Sequence, residues 1–121
     1  MVFARRALEA ELWPETAEAY VQALRIGDLG LAALPFETFV EIGFEIQEQS
    51  PFKQTFVFGL ANGDLGYLPT PRQHELGGYE TWLTVSHAEV SASPKLVKKL
   101  TALLGRLHKE PHIPNPTANG Q

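Results

Sequence analysis

Four residues stand where their side chains could do chemistry: Glu37, Asn62, Tyr67 and His74. Glu37 offers a carboxylate just after an apolar run, at the start of a predicted helix. Sites in open α/β sheets form beyond the carboxyl ends of the strands, which makes Glu37 a candidate. An acid at a helix N-terminus is also favourable with the macrodipole by about 0.3–1 kcal/mol, so the structural and functional readings of Glu37 both stand. Asn62 precedes Gly63 in a turn signal, which by itself asks only for a turn residue. Tyr67, between Gly66 and Leu68, fits a packed aromatic with a satisfied hydroxyl. His74 lies on a Pro- and Gly-flanked stretch near Tyr67. Of the four histidines (His74, His87, His108 and His112) it alone is placed to join a strand-end site, a surface imidazole being the simpler reading. The chain has no Cys, so thiol catalysis and cysteine-ligated zinc are excluded, and a metal would need His, carboxylate, Tyr or backbone oxygen.

No histidine pair has the helical spacing of a zinc-binding H-E-x-x-H. His108 and His112 are four apart, but Pro111 separates them where a helix ends. There is no G-x-S-x-G elbow, no Walker A loop and no G-x-G-x-x-G. Glu37, Glu41 and Glu45 recur at intervals of four and share a helix face. A solvated acidic face is the plain reading; a basic partner surface or a metal is the alternative.

The elements that position these residues follow from periodicity. Phe3–Leu12 reads as a short helix stopped by Trp13-Pro14. Tyr20–Ile26 and Leu29–Leu34 read as strands joined by Gly27-Asp28, a two-residue turn with Gly first that suits type II′. The second strand is almost wholly apolar, so burial on both faces is expected. A helix over Glu37–Gln49 presents Phe39, Ile42 and Ile46 on one stripe, with Val40 and Phe44 beside it. Gln54–Ala61 is a third strand, Leu65–Gly78 is irregular, and Tyr79–Val85 is a candidate fourth strand. A final helix is capped by Ser93 with Pro94 in its first turn; Leu96, Leu100, Leu103 and Leu107 form its stripe. The strand–helix–strand order implies parallel neighbours. It brings Pro35-Phe36-Glu37 close to residues 62–67.

These elements predict an α/β fold: a βαβ unit with a small mixed sheet flanked by helices. Residues 1–110 make one α/β domain, and 111–121 a disordered Pro-rich tail. With 10 Lys plus Arg against 14 Asp plus Glu, the net charge is −4, which argues against a nucleic-acid partner. The apolar share of 44% supports a real core. No run approaches the length of a membrane span. No signal peptide is read at the N-terminus, so a cytoplasmic location is the default expectation.

From residue 21 to 82 the sequence resembles the C-terminal part of the catalytic region of neutral/alkaline non-lysosomal ceramidase-like proteins. The resemblance is an ordered set: Val21-Gln22-Ala23-Leu24-Arg25-Ile26-Gly27-Asp28, Leu34-Pro35-Phe36-Glu37 and Phe39-Val40-Glu41-Ile42-Gly43. Ser50-Pro51-Phe52, Gly59-Leu60-Ala61-Asn62-Gly63, Gly66-Tyr67-Leu68-Pro69-Thr70 and Gly77-Gly78-Tyr79-Glu80 complete it. It implies part of a larger catalytic domain that hydrolyses amides with zinc. Glu37 and Tyr67 match the family's carboxylate and phenol ligands, and Asn62 an Asn in the turn before the Tyr. The two His ligands come from an earlier part of that domain. His74 is a further site-supporting candidate. Phe36 stands where the family usually has Gly, Asp64 where ceramide-cleaving members have Tyr, and Pro69 for the first Thr of a Thr-Thr pair. These departures point to a more distant, bacterial-type branch within a lipid-amide substrate class. With two of four ligands, this chain alone is expected to be inactive and to bind zinc weakly or not at all. Its expected partners are the missing N-terminal catalytic half or a second copy of itself. The other reading is a non-catalytic α/β binding or oligomerisation module.

Overall fold

The structure is a computed structural model describing residue 5 and residues 8–111. The first two strands, β1 (Gln22–Ile26) and β2 (Leu29–Ala33), form an antiparallel hairpin with Ile26 opposite Leu29. Gly27 has φ 58° in the two-residue turn, the left-handed conformation that such hairpins require and that glycine adopts without steric cost. A short strand β3 (Glu37–Thr38) leads into helix α1 (Val40–Gln49). Strand β4 (Gln54–Phe58) then lies parallel to β2, Leu29 opposite Gln54. The three-stranded sheet has the order β1-β2-β4. A second, two-stranded sheet pairs β3 in parallel with β5 (Tyr67–Leu68). Helix α2 (Pro71–Leu76), a 3-10 turn (Tyr79–Thr81) and helix α3 (Ala92–Lys109) complete the order. The α/β class and the small mixed sheet are as the sequence predicts.

Helices α1 and α3 cover one face of the larger sheet. Ala32, Leu34, Ile42, Ile46, Val97, Leu100 and Leu104 form the centre of the core. Arg25 ties the hairpin to the end of α3. Its Nη1 donates to Leu107 O at 3.1 Å and Glu110 O at 2.8 Å, its Nε to Gly27 O at 2.7 Å. The guanidinium there joins the Glu110 N–H on the Leu107 carbonyl and answers the Glu110 carbonyl just past the helix end.

Several expectations are corrected. Burial alternates along β2: Gly30 and Ala32 are buried, whereas Leu29, Leu31 and Ala33 are only half-covered. The predicted burial on both faces fails because both helices pack on the same side. Glu37 precedes α1 instead of opening it, so its macrodipole role and its place on a helical acidic face fall away. The stretch 65–78 is not irregular throughout, since it holds β5 and α2. Thr70 and Gln73 form a capping box at the start of α2, a signal legible in the sequence.

No fourth strand forms over Tyr79–Val85. The 3-10 turn occupies its start and Thr84 has φ 74°, a left-handed conformation that breaks any extended run and is rare for a β-branched residue. Helix α3 begins before the predicted Ser93 cap. Ser93 is buried within the first turn, and the capping position is Ser91, with no side-chain cap bond. The buried stripe of α3 is Ser93, Val97, Leu100 and Leu104, rotated from the predicted one. Leu96, Leu103 and Leu107 flank it, half-buried.

The predicted Phe3–Leu12 helix lies partly outside the described residues. Residues 8–10 are helical, and Leu8 and Leu12 are exposed. The tail beyond Pro111 lies outside the described residues. Among the described residues no helix is long and apolar enough to cross a membrane.

Candidate functional site

The chain segment after β2 is drawn against the segment after β4 by backbone hydrogen bonds. Leu65 N donates to Pro35 O at 2.8 Å, Glu37 N to Gly66 O at 3.0 Å and Phe39 N to Leu68 O at 3.3 Å. Strands β3 and β5 are therefore adjacent, with Glu37 opposite Tyr67. On its other side, Tyr67 N donates to Val85 O at 3.0 Å. Gly66 makes this approach possible: it has φ 77°, and a Cβ there would overlap the Val85 carbonyl oxygen.

The two candidate side chains meet. The Tyr67 hydroxyl donates to the Glu37 carboxylate, which holds the phenol above its ordinary pKa; the negative charge of Glu37 acts in the same direction. Partial desolvation and the charges of Glu80 and Tyr79 add to it. Each cause favours the neutral phenol over the phenolate. Both residues are half-buried, so the pair is reachable from solvent.

An aromatic wall stands beside the pair. The Tyr79 ring lies 6.2 Å from that of Tyr67, and the Trp82 ring 5.3 Å from that of Tyr79, both edge to face. Tyr79, Glu80 and Trp82 were given no part in a site by the sequence patterns. The double glycine Gly77-Gly78, both at positive φ, was the available signal that the chain turns sharply back there.

The other candidates lie elsewhere. Asn62 is exposed with φ 64°, and its Nδ2 donates to Gln22 Oε1 at 3.3 Å. It is a left-handed turn residue tied to β1. His74 sits on α2 with its Nε2 buried and lacking a hydrogen-bond partner. No hydrogen bond joins it to Glu37 or Tyr67 among the described residues. Glu41 accepts from Gln73 Nε2 at 3.1 Å on the outside of α1.

Chemically, the pair offers two oxygen donors with an acidic field that favours a cation. Among the described residues no group of three or more His, Asp or Glu side chains is placed to hold a metal ion. A catalytic zinc takes about three protein ligands and an open position, so Glu37 and Tyr67 do not by themselves fit that role.

A scan of protein-family models finds no match, nor does a search of curated proteins. Among solved structures, the chain is similar to the crystal structure of neutral ceramidase from Pseudomonas aeruginosa, with a TM-score of 0.55 and 26% sequence identity. The match covers 79% of this chain and 17% of that one. The fold that pairs Glu37 with Tyr67 is thus similar to a small part of a neutral ceramidase.

Proposed function

We propose that this chain is a segment of a ceramidase-like, zinc-dependent amide hydrolase. In this reading Glu37 and Tyr67 supply the oxygen-donor part of a metal site whose two histidines come from another polypeptide region. The observation that carries it is the pairing of Glu37 opposite Tyr67 on adjacent parallel strands, the two residues that the family resemblance selects. Similarity to a limited part of neutral ceramidase supports it. When bound, zinc would polarise an amide carbonyl and lower the pKa of its water. The chain's own part is to place a carboxylate and a phenol side by side, with Tyr79 and Trp82 as an aromatic flank for an apolar substrate. The departures at Phe36, Asp64 and Pro69 favour a lipid-amide other than ceramide.

Purification in added zinc, followed by elemental analysis and an amide-hydrolysis assay, tests the reading. The chain alone should carry well under one zinc and show no turnover. Adding the region that holds the two histidines should restore both, and Glu37→Ala with Tyr67→Ala should abolish the restoration. One tightly held zinc per isolated chain with turnover would overturn it.

A second reading is a non-catalytic module that binds a partner or itself. It is favoured by the uncovered face of the sheet, where Ile26 is 64%, Phe56 53% and Phe58 49% exposed. On that reading the same double substitution leaves partner affinity or self-association unchanged.

A further inference from the structure

The segment after the double glycine builds a second feature around Tyr79. Gly77 and Gly78 have φ 75° and 121°, a region that glycine enters without steric cost. They turn the chain back, so that the 3-10 turn (Tyr79–Thr81) lies against β5. Thr81 donates twice to Gly78 O, from its N at 3.1 Å and its hydroxyl at 2.8 Å. Trp82 N donates to Tyr79 O at 3.2 Å. Further on, Val85 O accepts from Tyr67 N at 3.0 Å. The turn is thus tied at both ends, and hydrogen-bonded backbone sets where its rings stand beside Tyr67.

Those rings stand nearly at right angles. The Tyr67 and Tyr79 planes make 76° with centroids 6.2 Å apart, and Tyr79 and Trp82 make 71° at 5.3 Å. Tyr67 and Tyr79 therefore wall a corner from two sides, and Trp82 backs Tyr79. An aromatic face is negative and attracts a cation within about 6 Å of its centroid. Tyr79 is 47% exposed, so its ring is reachable from solvent. Carboxylates add to the same field. The charges of Glu37 and Glu80 both act on the Tyr67 phenol, and both residues are half-buried. Among the described residues the ion pairs are Arg5–Glu9 and Lys95–Glu89, so neither carboxylate has a cation of the chain beside it. Partly covered negative charge without a counter-charge is unfavourable, and a bound cation relieves it.

The kind of cation follows from the walls. A hard divalent ion takes about six or more oxygen ligands. Among the described residues no group of three or more His, Asp or Glu side chains is placed for one. A primary ammonium is strongly hydrated, and ring faces do not replace its hydrogen bonds to water. A quaternary ammonium has no N–H to satisfy and presents methyl groups that pack on rings. We infer that the corner formed by Tyr67, Tyr79 and Glu80 binds a trimethylammonium group. Its methyl groups would lie on the two phenol rings, with the Glu80 carboxylate as counter-charge. The group is the same in a free solute and in a lipid headgroup. The inference stands apart from the zinc reading, because it uses the ring of Tyr67 and not its oxygen.

Proton NMR titration of the full chain with choline, in EDTA to exclude metal, tests it. The Tyr67 and Tyr79 ring resonances should shift saturably. Choline should bind about tenfold or more tightly than its uncharged isostere, in which carbon replaces nitrogen. Tyr79→Leu should weaken choline binding about tenfold, and Tyr79→Phe, which keeps the ring, about twofold or less. Glu80→Gln should weaken it and reduce its sensitivity to salt. The melting temperature of each variant should stay near that of the wild type, since these are surface changes. Co-sedimentation with phosphatidylcholine vesicles, lost in Tyr79→Leu, would assign the ammonium to a lipid headgroup; choline binding without it would assign a free solute. No saturable shift, equal binding of the uncharged isostere, or binding unaltered by Tyr79→Leu would overturn the inference. Zinc content is a separate readout, so failure of either reading leaves the other standing.

Discussion

Tyr67 and Glu37 make a bond whose strength depends on which proton is present. The hydroxyl donates to a carboxylate that raises its pKa, so the folded chain favours the neutral phenol. A group whose folded pKa is raised contributes stability that is fully present below its unfolded value, near 10 for Tyr. That contribution is lost as pH rises through the higher folded value. Glu37→Gln removes the charge, so ultraviolet titration of the tyrosines should show Tyr67 ionising closer to its ordinary value. The wild-type denaturation midpoint should fall more steeply above about pH 10 than that of the variant. Equal titration curves would show that the pair is not coupled. At this scale the pairing was legible: a strand–helix–strand spacing brings residues 35–37 to residues 62–67. The roles of Asn62 and His74 were not, because a turn side chain and a short helix take their direction from neighbours that spacing does not specify. Tyr79, Glu80 and Trp82 were hidden by a strand-like alternation that Thr84 breaks.

The elements are set by which face each one covers. In α3 the predicted leucine stripe and the observed stripe differ by a rotation, since Val97 and Leu104 point to the sheet while Leu96, Leu103 and Leu107 flank the contact. Periodicity finds an apolar side of a helix; the angle of docking decides which part of that side is fully covered. Leu104→Ala should therefore cost about 2–5 kcal/mol in denaturant unfolding, and Leu103→Ala about 1 kcal/mol. A reversed order would restore the predicted stripe. Strand β2 teaches the same lesson. Its apolar run reads as doubly buried, yet cover comes from only one layer, and no pattern within the strand encodes where the helices go.

At the scale of the whole molecule, the described residues cover the larger sheet on one face only. The open face carries Leu24, Ile26, Phe56 and Phe58, each about half or more exposed. An apolar surface of this kind is where self-association, if it occurs, is tested first. Ile26→Lys combined with Phe58→Lys should reduce self-association in light scattering and change stability by about 0.5 kcal/mol or less per site. Unchanged scattering from an associating wild type would place the contact elsewhere. The class of fold was legible from element order, and so was a shortage of cover, because the apolar run of β2 asks for cover on two sides that few helices can supply; which face stays open was not, because hydrophobic patterning does not say where the helices dock. The Arg25 clamp adds a demand in time. Its carbonyl partner at Glu110 lies 85 residues further along the chain. At about 5–20 residues per second of synthesis, roughly 4–17 s separate the two. Throughout that interval the emerging hairpin has neither its clamp nor the α3 helix that shields its inner face, so both of its faces stay exposed until the C-terminal helix is made.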